Sequence, residues 1–155
     1  MINSLSRNIL SLITAIFISY VSGAIFVSQA NVAAVVAMNF DVTALQRFDA
    51  AVHDVTNMTD IYLPVIAVSY LISMPVATLL IRHLPQLRML LYVLAGASGL
   101  VAIHLIIKMT FGLSGIAPTR TLAGLMGQAI AGGVGGYLFH IISLSRQYDK
   151  DLTAK

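Results

Sequence analysis

Four stretches of this chain carry no formal charge: Asn8 to Phe40, Ile61 to Ile81, Met89 to Ile107, and Thr121 to Ser145. Nothing else in the sequence narrows the possible folds so far. An α-helix rises about 1.5 Å per residue, so about 20 apolar residues cross the ~30 Å hydrocarbon core of a bilayer. The expected fold is all-α, an integral membrane four-helix bundle. It forms a single membrane domain over residues 1–155, with spans near 9–27, 61–81, 89–107 and 121–145. Composition agrees, since only 10% of residues are charged against about 25% in a soluble domain.

The first uncharged run is too long for one crossing. Arg7 ahead of it, and Ser28-Gln29-Ala30 within it, resemble a secretory signal and its cleavage site. We read it instead as span 1, with "SQANVAAVVAMNF" either continuing the helix or lying along the interface.

Orientation follows from the flanking cations. Arg7, Arg82, Arg88, Arg146, Lys150 and Lys155 fall on one side, and Arg47, Lys108 and Arg120 on the other. The excess places both termini in the cytoplasm, with 146–155 as a cytoplasmic tail. On the outer side, residues 42–57 read as a short amphipathic helix with Asp41 as N-cap. Leu45, Phe48, Val52 and Val55 recur on one face, and Arg47, Asp49, His53 and Asp54 on the other. Asp49 and Asp54, facing Lys108 and Arg120 of the next outer loop, should draw this helix over spans 3 and 4. "RHLPQLR" is short enough to make spans 2 and 3 antiparallel neighbours. Pro75 should disturb the middle of span 2, and Pro64 should be harmless in its first turn.

Span 4, "TLAGLMGQAIAGGVGGYLFHIIS", holds six of the eleven glycines, although glycine is a poor helix former in water. At about 100° per residue, Met126, Ile130, Val134, Tyr137 and Ile141 form one stripe. Gly124, Gly127, Gly132, Gly135 and Gly136 fall on the broad remainder. Apolar side chains gain little by leaving lipid for one another, so close backbone approach must supply association. Gly132-x-x-x-Gly136 fits that need, as does the ridge Ala123, Gly127, Ala131, Gly135. In span 1, Ser11, Ala15, Ser19, Ser22 and Gly23 make a complementary small face, the preferred partner of span 4. Ala95, Ser98, Gly99 and Ala102 form another patch on span 3.

Polar groups at membrane depth are costly and mark functional candidates. Gln128 lies on the small-residue face of span 4, and His140 near its inner end. His104 and Lys108 sit one turn apart toward the outer end of span 3, pointing away from the small patch. His104 and His140 should differ in depth by about 15–20 Å, too far to share a haem iron. His53 and Asp49 on the outer helix make too few ligands for a metal site. No catalytic residues are assigned, because the chain has no cysteine, no glutamate, and none of the common nucleophile or phosphate-loop motifs.

The first expectation is a non-enzymatic protein of the bacterial inner membrane that works by helix–helix association. It would act as a homo-oligomer or as a small subunit of a larger membrane complex. The alternative is an ion, proton or small-solute channel or transporter built on the polar residues of spans 3 and 4. A second alternative is binding of quinone or lipid between helices, and no other cofactor is expected. Partners are membrane lipid, other membrane subunits or a second copy. Scattered basic residues do not suit nucleic acid.

Overall fold

Within hydrocarbon a backbone must satisfy its own hydrogen bonds, and the uncharged runs do so by coiling. The computed structural model describes residues 4–112 and 115–153, with side chains over 6–112 and 115–143. Its helices are α1 (Ser4–Ala37), α2 (Ala44–Asn57), α3 (Thr59–Ile81), α4 (Arg88–Phe111) and α5 (Leu122–Thr153). Single 3-10 turns at Pro85–Leu87 and Ala117–Arg120 join the last three, and no strand occurs among the described residues. The segments Ser6–Ala37, Thr59–Ile81, Pro85–Phe111 and Leu122–Ser143 are each long and apolar enough to cross a membrane. Four such helices give the architecture of a multi-pass membrane protein.

Several boundaries differ from the sequence reading. Residues 28–37 continue α1 as one helix of 34 residues, about 50 Å long. That exceeds the ~30 Å hydrocarbon core of a bilayer. The N-cap of α2 is Thr43 rather than Asp41. Thr43 Oγ1 accepts from the Gln46 backbone N–H at 3.3 Å, and Gln46 Oε1 accepts from the Thr43 N–H at 2.8 Å. That reciprocal pair satisfies two backbone donors, which a lone aspartate further upstream does not do. Because α3 begins at Thr59, Pro64 lies in its second turn, not its first. The helix runs through both prolines. Arg146, Lys150 and Lys155 lie outside the residues whose side chains are described.

The spans form a ring in the order α1, α5, α4, α3, with α5 packed most extensively against α4 and α1. The two small-residue ridges of α5 serve different neighbours. Gly132 and Gly136 face α4, where a Cβ on either would strike the backbone carbonyl of Gly96 or Tyr92. Gly127 and Gly135 face α1, against the Phe26 ring and against Ser19 and Ala15. The closest backbone crossing of α5 is therefore with α4, although α1 was the preferred partner. Met126, Ile130, Val134, Tyr137 and Ile141 are all exposed, forming the outward stripe. Gly124 is held against the carbonyl of Pro118 in the preceding turn. Gly112 closes α4 with φ +69°, where a side chain would be strained.

The α2 helix buries no residue. It rests on α1 and the start of α3. Tyr20 Oη donates to the Val55 carbonyl at 2.5 Å, and Gln29 Nε2 to that of Arg47 at 3.1 Å. The expected electrostatic draw toward α4 and α5 is not seen. Among the described residues neither Asp49 nor Asp54 pairs with Lys108 or Arg120, and Asp54 lies 3.4 Å from His53. Exposed ion pairs contribute about 0–1 kcal/mol, less than hydrogen bonds and apolar contact with Val21 and Ile25 provide.

Candidate functional site: two polar centres in the bundle

α3 faces α5 across the ring, and its tyrosines bridge the gap. Tyr62, Ile66, Tyr70 and Met74 recur at four-residue steps along the buried face of α3. Each side chain fills space that the small residues of α1, α4 and α5 leave empty. Tyr70 Oη donates to the Gly132 carbonyl at 2.6 Å and shares a 2.5 Å hydrogen bond with Ser19 Oγ. With the Tyr70 proton on the Gly132 carbonyl, the single Ser19 hydroxyl proton is shared between Tyr70 Oη and the Ala131 carbonyl, 3.1 Å away. Gly96 and Gly135 both abut this phenol. It therefore pins three helices at the level where their backbones come closest.

Two turns toward α2, Tyr62 donates to Gln128 Oε1. Its hydroxyl fills the place a side chain on Gly23 would need. The ring of Tyr62 packs against Tyr20 at 5.7 Å and stacks on His104 at 6.3 Å and 28°. Gln128 is 0% exposed and His104 4%, and the two side chains are neighbours. Neither Gln128 Nε2 nor His104 Nε2 has a hydrogen-bond partner among the described residues. Three helices thus bring a phenol, an amide and an imidazole together, with the amide and imidazole adjacent but not in a well-aligned hydrogen bond. In hydrocarbon such groups cost several kcal/mol each in the extreme case.

On α4 the buried stripe is Tyr92, Gly96, Leu100 and His104. The small patch divides: Gly99 packs on Ser69 and Ser73 of α3, whereas Ser98 and Ala102 face outward. His104 points away from Ser98 and Ala102 because they lie on the outside. Lys108, one turn on, is exposed, so the two do not share an environment. Arg120 is also exposed.

A second polar centre lies at the opposite end of the bundle. Arg88 Nη2 donates to Ser143 Oγ at 2.9 Å, and its guanidinium stands 5.7 Å over the Tyr92 ring. Tyr92 packs edge-on against Phe139 at 4.9 Å and lies 3.2 Å from Thr78 Oγ1. His140 is 6.4 Å from the Tyr92 ring, with Nδ1 buried and unpaired. Arg82, Arg88 and His140 line one open cavity here.

Sequence reasoning identified Gln128, His104, His140, Ser19 and the glycines. It overlooked Tyr20, Tyr62, Tyr70 and Tyr92, the side chains that join them. One signal was present: Tyr62 and Tyr70 are eight residues apart on one face of a helix, and Tyr70 lies mid-span, away from where interfacial tyrosines sit. No family model matches the chain, and neither does any curated protein or solved structure.

Proposed function

We propose that this chain is a non-enzymatic transport protein that passes a proton or a small hydrogen-bonding solute through the Tyr62–Gln128–His104 centre. The observation that carries this reading is the adjacency of the His104 and Gln128 side chains, buried between three helices with neither Nε2 in a well-aligned hydrogen bond among the described residues. An imidazole can take and return a proton, and an amide can hold a transient guest. Ile66 and Leu100, both fully buried, seal the axis between the Tyr62 and Tyr70 levels. Passage in this reading requires these side chains to swing aside. In this reading both termini and the Arg82–Arg88 end face the cytoplasm of a bacterial inner membrane, and α2 lies outside.

The test is proton flux into liposomes carrying the purified protein and an internal pH dye, driven by a potassium diffusion potential. Wild type should acidify the lumen, with Gln128→Leu and His104→Leu slowing it at least about tenfold. Absence of flux in wild type ends the reading.

Assembly, with a second copy or within a larger membrane complex, is the other reading. It is favoured by Ser98 and Ala102, small residues turned outward on α4. The glycine surface that first suggested it is taken up inside the bundle. Ser98→Leu should leave oligomeric state in nanodiscs unchanged under the transport reading, and lower it under this one.

A further inference from the structure

Two cavities at the Arg82–Arg88 end meet at Thr78 and Arg82, which line both. One, of about 550 Å³, is bordered by Arg82, Gln86, Arg88, Tyr92 and His140. The other, of about 420 Å³, is a groove between α1 and α3 walled by Leu12, Leu71, Met74 and Phe139. We propose that this end of the bundle binds one anionic phospholipid. Its phosphate occupies the Arg82–Arg88–His140 cavity, and one acyl chain lies in the groove.

The chemistry of the lining selects an anion. Arg82, Arg88 and His140 all border it, and among the described residues that line the cavity none is a carboxylate. Arg88 is already oriented by Ser143 and the Tyr92 face. Its remaining N–H donors are fixed in the fork that suits phosphate oxygens. His140 Nδ1 is buried without a partner.

The adjoining groove selects a lipid over a soluble anion. Its wall is almost wholly apolar, and it runs from Arg82 up to Leu71 and Met74 in the middle turns of α3. A free phosphate would use the cavity and leave the groove unfilled. The residues involved are distinct from Tyr62, Gln128 and His104, so this site stands or falls apart from transport.

The test is native mass spectrometry of the full chain released from detergent micelles. The micelles contain equal amounts of phosphatidylglycerol and phosphatidylcholine with identical acyl chains. A parallel sample contains glycerophosphoglycerol, the same headgroup without chains. One phosphatidylglycerol should be retained, favoured over phosphatidylcholine by about fivefold or more. Arg82→Gln, at an exposed position that leaves packing intact, and Arg88→Gln should each reduce that adduct by about fivefold. Leu71→Trp should reduce it by crowding the groove, while Arg47→Gln at the far end should leave it unchanged. Equal retention of the two lipids overturns the proposal. So does an adduct indifferent to both arginine variants, an adduct equally sensitive to Arg47→Gln, or chainless headgroup bound as tightly as lipid.

Discussion

The two polar centres share ingredients and differ in access to water. Around Gln128 a phenol and an imidazole are enclosed by three helices, uncharged and dry. Around Arg88 a phenol and an imidazole accompany two cations at an open rim. The difference arises from the packing partners of α5. Near Gln128 the tyrosines of α3 reach across and close the ring, whereas near His140 the described side chains leave an open cavity bordered by the Pro85–Leu87 turn. Burial makes each group in the first centre a determinant of folding. Exposure frees the second to bind.

The most drastic way to abolish the contrast is to force the helices apart so that both ends become wet. Gly132→Leu would place a branched side chain into the Gly96 carbonyl. It should cost about 3 kcal/mol or more and broaden the gel-filtration peak in detergent. A monodisperse peak with unchanged thermal unfolding would show that this crossing does not hold the bundle. Tyr62→Phe tests the dry centre alone. It leaves Gln128 Oε1 buried without its donor, and should cost about 1–3 kcal/mol by circular-dichroism melting. A double-mutant cycle with Gln128→Leu sharpens the comparison. The coupling should be about 0.6 kcal/mol and no more than about 1.7, the range for hydrogen bonds between membrane helices. A coupling of zero would mean that the two groups do not act together. Smallest of all is Arg88→Gln. At a half-exposed rim it should change stability by no more than about 0.5 kcal/mol, and a larger loss would make the open centre a folding element too.

How much of this was legible in the sequence depended on which physical effect fixed each feature. Spans are set by length and apolarity, and the outward stripe of α5 by helical periodicity, so both could be read directly. The assignment of Gly132 and Gly136 to α4, and of Gly127 and Gly135 to α1, depends on which helix lies on which side. Periodicity within one helix carries no such information. His104 was placed on a face without knowing which face was inside, because the small patch of α4 splits between α3 and the exterior. The position of α2 was misjudged for another reason. Charge complementarity is visible in a sequence, whereas hydrogen bonds from Tyr20 and Gln29 to backbone carbonyls are not, and here they prevail. The tyrosine bridges were missed because tyrosine in a membrane protein is expected at the interface.

The seat of α5 between α1 and α4 also governs how this protein is made. Because α1 is synthesised before α5, its most extensive contact forms only when α5 arrives, and until then α1, α3 and α4 have a slot between them. During that interval Ser19, Tyr70 and the bared carbonyl of Gly96 face acyl chains. Insertion of residues 122–143 withdraws them from the lipid.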